Sequence, residues 1–243
     1  MGLISAVHSE LIKTKHTPFA ALHIVVPLIG TLLFMLYYSL YVNVAECEKL
    51  NLILEITNTI FPLLISVVVG LNVVSEEKAS HFQTLLAVRS RSKLFLAKLT
   101  TLYGTGLTSL FFMFALFGFG ISFMKLTSGI PLNVFIQAVI GLAFCNLVLY
   151  IFHLFLSLKY GLGISLLWGA FECLQSILYS NIELRGIWRY IPFAWSINWI
   201  HDTLNNRLAA YAAQWELIAI LTVCILLLIM TWFSYWEGRK NYE

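Results

Sequence analysis

The chain has 243 residues, 60% of them hydrophobic, 15% aromatic and 11% charged, with a net charge of +3 and a mean hydropathy of +0.84. So little polar surface cannot clothe a soluble globule, which leaves a polytopic membrane protein as the class. The small positive balance is better explained by membrane topology than by nucleic acid, because no basic cluster is interleaved with aromatics on a soluble face.

Residues 1–17 read as a surface helix: Leu3, Ile4, Val7, Leu11 and Ile12 recur at helical spacing, with Glu10, Lys13 and Lys15 on other faces. Such a segment lies in the interface rather than crossing it, and Pro18 marks the turn into the bilayer. Six apolar spans follow: Phe19 to Tyr41, Leu54 to Val74, Leu99 to Phe123, Pro131 to Leu156, Leu162 to Tyr179 and Leu217 to Tyr235. As a helix the first would extend about 34 Å, enough for a hydrocarbon layer of roughly 30 Å. It is longer than a signal-peptide core of about 7 to 15 residues, so it is expected to be retained.

Pro27 and Pro62 fall inside the first two spans and are expected to kink them. In the third, Gly104, Gly106, Gly118 and Gly120, with Thr101, Thr105, Thr108 and Ser109, let another helix approach closely, within the chain or at a subunit interface. Asn146, Tyr150, His153 and Ser157 make one polar stripe of the fourth span, which must face other helices. A lone His there reads as a structural residue.

Glu172 is the only acidic residue well inside a span, where an ionised carboxylate costs about 2.5 to 3.5 kcal/mol. It must face protein, water or a cation, or be protonated. Two readings stand: a wall of the route taken by a cationic peptide, or a structural Glu hydrogen-bonded nearby, with Gln175 one turn on. The gap 180–216 is rich in Trp (Trp188, Trp195, Trp199, Trp215), and indoles favour the headgroup layer. Phe193, Ile197, Ile200 and Leu204 predict a helix lying in or dipping into the outer leaflet. Glu172, Asn146, Trp195 and Trp199 are the candidate substrate path.

An even number of spans puts both termini on one side, and Lys and Arg choose it. Ten lie in the N-terminal arm, the second and fourth gaps and the tail, against five in the remaining gaps. Both termini are therefore expected in the cytoplasm, in a single all-α transmembrane domain, 1–243. Cys145, Cys173 and Cys224 fall within spans and Cys47 in an external gap, so no disulfide framework can be drawn.

The connector 75–98 is the most informative stretch. Ser80 and Gln83 have the spacing of a capping box, which would start a helix at His81. Phe82, Leu85, Leu86 and Arg89 then follow amphipathically. The expected product is a short helix parallel to the membrane, either seated in a partner's cleft or resting on lipid.

This pattern resembles the cytoplasmic segment of ABC-2 type permeases: an acidic residue (Glu76 or Glu77), a short helix ending in a Leu-Leu pair (Phe82 to Leu86), a turn with basic residues (Arg89 to Lys93), and a Lys opening the third span (Lys98). The opening SELIKTK, Ser9 to Lys15, is similar to that family's start. More narrowly, SELIKTKHTPF, Val26 to Gly30, Phe61 to Ser66 and His81 to Leu86 resemble the permease subunits of lantibiotic-immunity transporters of the nisin and mutacin type. At Val88 to Arg91 the chain departs from the broad family, which often has a Pro there.

The resemblance implies an ABC-2 exporter-type fold and a non-catalytic permease that expels an antimicrobial peptide from the bacterial cell membrane. It implies as partners a cytosolic ABC ATPase in two copies, a second related permease subunit, the peptide and membrane lipid. No G-x-x-x-x-G-K-[ST] is present, so ATP and Mg are expected in the partner and no cofactor in this chain. The coupling residues it implies are Glu76, Glu77, His81, Phe82, Gln83, Leu85, Leu86 and Arg89. Rival classes are an exporter of another drug or lipid-like substrate, a passive channel or scaffold, and an intramembrane protease. The protease would use Glu76 and Glu77 with His201 and Asn205, groups expected on opposite sides of the bilayer.

Overall fold

A computed structural model describes residues 2–14, 17–41, 46–88, 90–123, 132–181 and 190–239. The side chains of 46, 47 and 179–181 are outside that description. Lys15, Arg89, Lys125, Pro131, Arg185, Trp188, Arg189 and Lys240 also lie outside the described residues.

Every regular element among the described residues is helical: α1 (Leu3–Thr14), α2 (Pro18–Leu40), α3 (Glu46–Ser80), α4 (Gln83–Leu86), α5 (Arg91–Phe123), α6 (Leu132–Tyr160), α7 (Leu162–Asn181), α8 (Trp195–Leu204, entered through a 3₁₀ turn, Pro192–Ala194) and α9 (Ala212–Tyr235). Five of these, α2, α3, α5, α6 and α9, are long and apolar enough to cross a membrane. The sixth expected span is α7, whose apolar part Leu162–Leu178 is shorter.

Two helices, α7 and α1, have their faces inverted relative to a soluble protein. On α7 the buried positions are Ser165, Gly169, Glu172 and Ser176, at spacings of four, three and four, while Leu167, Trp168, Phe171 and Leu174 are exposed. On α1 Ala6, Glu10 and Thr14 pack inward, and Ile4, 87% exposed, points away from the protein with Leu3, Leu11 and Ile12. An apolar stripe turned outward beside a polar inner face is what hydrocarbon, not water, stabilises.

The central helix is α6, and α2 and α9 are the most peripheral spans. Gly161, at φ +96°, supplies the left-handed residue that lets α7 start immediately after α6. Close approaches set other contacts: Gly106 of α5 leaves room for the Tyr150 hydroxyl of α6, and Gly120 for Met35 of α2. Those two glycines serve packing within the chain, whereas Gly104 and Gly118 face open space. Cys145, Cys173 and Cys224 are free thiols.

Hydropathy reads α3 and α5 too short. Both continue beyond the apolar window at the end nearest α4, because their polar extensions pair with each other and with α1 instead of meeting lipid.

Candidate functional site

The connector begins where α3 ends. The expected capping-box helix from His81 does not form. His81 (φ +47°) and Phe82 (φ +64°) are both left-handed, a strained arrangement for non-glycine residues, and only the single turn Gln83–Leu86 is helical. Burial of Phe82 holds this turn: its ring lies 5.3 Å from that of Trp236 and 5.4 Å from the Arg239 guanidinium carbon. Ser80 still reaches the start of α4, with its Oγ 2.9 Å from Thr84 Oγ1.

The candidate coupling residues divide into two sets. Phe82 and Leu85 are buried in the chain's own core and Leu86 packs against it. Glu76 is only 5% exposed: Lys13 donates to its Oε1 at 2.7 Å, Lys98 at 3.3 Å, and Thr84 to its Oε2 at 3.3 Å. Glu10 joins the same cluster, with one oxygen 2.6 Å from Lys13 and the other 2.8 Å from Lys98. Burial lowers the Lys13 pKa, but hydrogen bonds to Glu10 and Glu76 and their charges outweigh it, so the ammonium titrates above its ordinary range.

Glu77 pairs with Arg239, whose Nη1 lies 2.9 and 3.0 Å from its two oxygens, while Nη2 donates to the Ser157 carbonyl at 2.9 Å. Glu76 and Glu77 are thus internal ties. The exposed face of the connector is His81, Gln83, Thr84, Ala87 and Val88.

Arg91 completes the assembly by donating to the carbonyls of Ser234 and Trp236 at 3.2 and 2.7 Å. A cation at the C-terminal end of α9 is favoured by the helix dipole. One end of the molecule thereby gathers α1, the α3–α4–α5 connector, the end of α6 and the chain's tail.

Of the candidate substrate-path residues, Glu172, Asn146 and Trp195 are buried within the packed helices. Glu172 Oε2 lies 2.9 Å from His153 Nε2, and His153 Nδ1 lies 3.0 Å from Ser165 Oγ. All three are buried. The partner of Glu172 is therefore His153 rather than Gln175. Asn146 is buried on the same stripe, donating to the Leu142 carbonyl at 2.7 Å. Trp195 is 1% exposed, and Trp199 lies over Gly141 of α6, donating from Nε1 to the Gln137 carbonyl at 3.0 Å. Ile197 and Ile200 of α8 are buried too, so that helix dips into the protein rather than resting on lipid.

His201 sits at the opposite end, 3.5 Å from Glu55. Twenty-one residues of α3 separate Glu55 from Glu76, about 32 Å of helix, too far for His201 and Glu76 to share a reacting atom. Among the described residues no three His, Cys, Asp or Glu side chains could hold a metal together.

No family model, curated protein or solved structure matches this chain.

Proposed function

We propose that the chain is the membrane permease subunit of an ABC-2 type exporter, and that its substrate is an antimicrobial peptide expelled from the bacterial cell membrane to give self-protection. In this reading α7 is the sixth span, both termini lie in the cytoplasm, and α4 faces a separate ATPase that binds ATP and Mg. Two ATPase copies would drive a core made of this chain and a second, related permease.

The observation that carries the reading is the mechanical wiring of α4. Its outer face is open at Gln83, Thr84 and Ala87. Behind it, Glu76 ties the connector to α1 and α5, and Glu77 and Arg91 tie it to the tail after α9. Displacement of α4 therefore moves several helices at once, as a two-state repacking requires. The strained His81–Phe82 turn suits a segment with two arrangements.

Glu172 enters this reading as a structural residue, since His153 already satisfies it. An exporter of another drug or lipid-like molecule would use the same wiring, and a passive channel or scaffold would need no motor. Detergent extraction with ATP hydrolysis blocked tests the motor: a P-loop ATPase is expected to co-purify, and Ala87→Trp on the exposed face of α4 is expected to reduce it at least about tenfold. Absence of any P-loop ATPase from the extracted parent protein contradicts the proposal.

A further inference from the structure

We propose that the cavity enclosed by α1, α4 and the start of α5 is a binding site for the headgroup of an anionic phospholipid. The cavity holds about 750 Å³. Its charged lining is Lys13, Lys93 and Glu10, and both Glu10 oxygens are already neutralised, one by Lys13 and one by Lys98. Lys93 is exposed, and no carboxylate among the described residues pairs with it. With Lys98 answering Glu10, and Lys13 shared between Glu10 and Glu76, the Lys93 ammonium is, among the described lining residues, the charge left for an incoming anion.

The remaining chemistry suits a phosphodiester. Ser9 and Ser90 bring hydroxyl groups to the wall, and the cavity meets the first turn of the 33-residue α5, whose N-terminal end carries partial positive charge. The source of the anion follows from α1. That helix forms one wall while Leu3, Ile4, Leu11 and Ile12 face outward, which sets the cavity at the depth of lipid headgroups. Val88 and Leu94 add an apolar wall for the glycerol backbone and the first acyl carbons. Basic cavities between membrane helices are general binders of anionic headgroups. Thr84 and Val88 border both this cavity and the outer face of α4, but the polar contacts come from Ser9, Ser90 and Lys93 and need no ATPase.

Native mass spectrometry of the full chain, delipidated in detergent and titrated with phosphatidylglycerol or phosphatidylcholine, tests the site. Preferential retention of one phosphatidylglycerol is expected, and Lys93→Glu is expected to weaken it at least about fivefold, the effect of losing one lysine at a membrane surface. Lys159→Gln, at a lysine stacked over Phe155 and Tyr160 outside the cavity, is expected to leave it unchanged. Ser9→Trp, which removes one hydroxyl and crowds that wall of the cavity without altering charge, is expected to weaken it.

Three results overturn the proposal: equal retention of phosphatidylcholine, unchanged retention in Lys93→Glu, or displacement of the lipid by millimolar inorganic phosphate. The third identifies a soluble phosphate site, and the second, when a co-purifying protein is lost at the same time, a protein-filled groove.

Discussion

Two clusters of buried polar side chains brace this protein, and they differ in what surrounds them. At the α4 end, Glu10, Lys13, Glu76 and Lys98 join three helices near a rim where the Lys13 side chain keeps 41% of its exposure. Between α6 and α7, His153, Ser165 and Glu172 are sealed, with His153 at 0% and Glu172 at 2%. The first cluster has two cations and two carboxylates spread over α1, α3 and α5, so its members can exchange partners as α1 shifts. The second has one acid and one imidazole and no open edge, so it fixes the register of two adjacent helices. A lever needs the former arrangement and a rigid wall needs the latter.

The largest expected effect comes from emptying the centre of the first cluster. Lys98→Met leaves two buried carboxylates with Lys13 alone, and breaking a buried pair in this way costs about 3 to 5 kcal/mol. Denaturation of the detergent-solubilised protein measures it. A loss under about 1 kcal/mol would mean that water reaches Glu10 and Glu76 freely, and the contrast between the clusters would disappear.

Next comes His153→Leu, which leaves Glu172 and Ser165 without their shared partner and is expected to cost about 1 to 3 kcal/mol. Adding Ser165→Ala to it should change little further, because the two sites are coupled through one imidazole. Fully additive losses would show that the three side chains do not act as a unit.

Glu172→Gln should have the smallest effect. The amide keeps a hydrogen-bonding group opposite His153, so stability is expected to fall by less than about 1.5 kcal/mol, with resistance of the cells to the proposed peptide substrate unchanged. Lost resistance at normal assembly would return Glu172 to the substrate route.

Five of the six expected spans were legible in the sequence as long apolar helices, because windows of this length and hydropathy leave few other ways to satisfy the backbone. The amphipathic helix α1 was legible from Leu3, Ile4, Leu11 and Ile12, although the residues that attach it, Glu10 and Lys13, read only as the polar side of a stripe. Their partners Glu76 and Lys98 lie more than sixty residues away, and helical periodicity carries no information on that scale. His153 was correctly expected to face other helices, but its match to Glu172 depends on the tight turn at Gly161. The capping-box reading of Ser80 and Gln83 failed because burying Phe82 against Trp236 and Arg239 outweighed local helix signals, a tertiary term that the connector's own residues do not reveal.

In the proposed transporter the connector faces the cytosol. In a chain whose four cysteines are replaced by alanine, Gln83→Cys places one thiol on the exposed side of α4. A membrane-impermeant maleimide should leave that thiol unlabelled in intact cells and label it in inside-out vesicles. Labelling in intact cells would contradict the account.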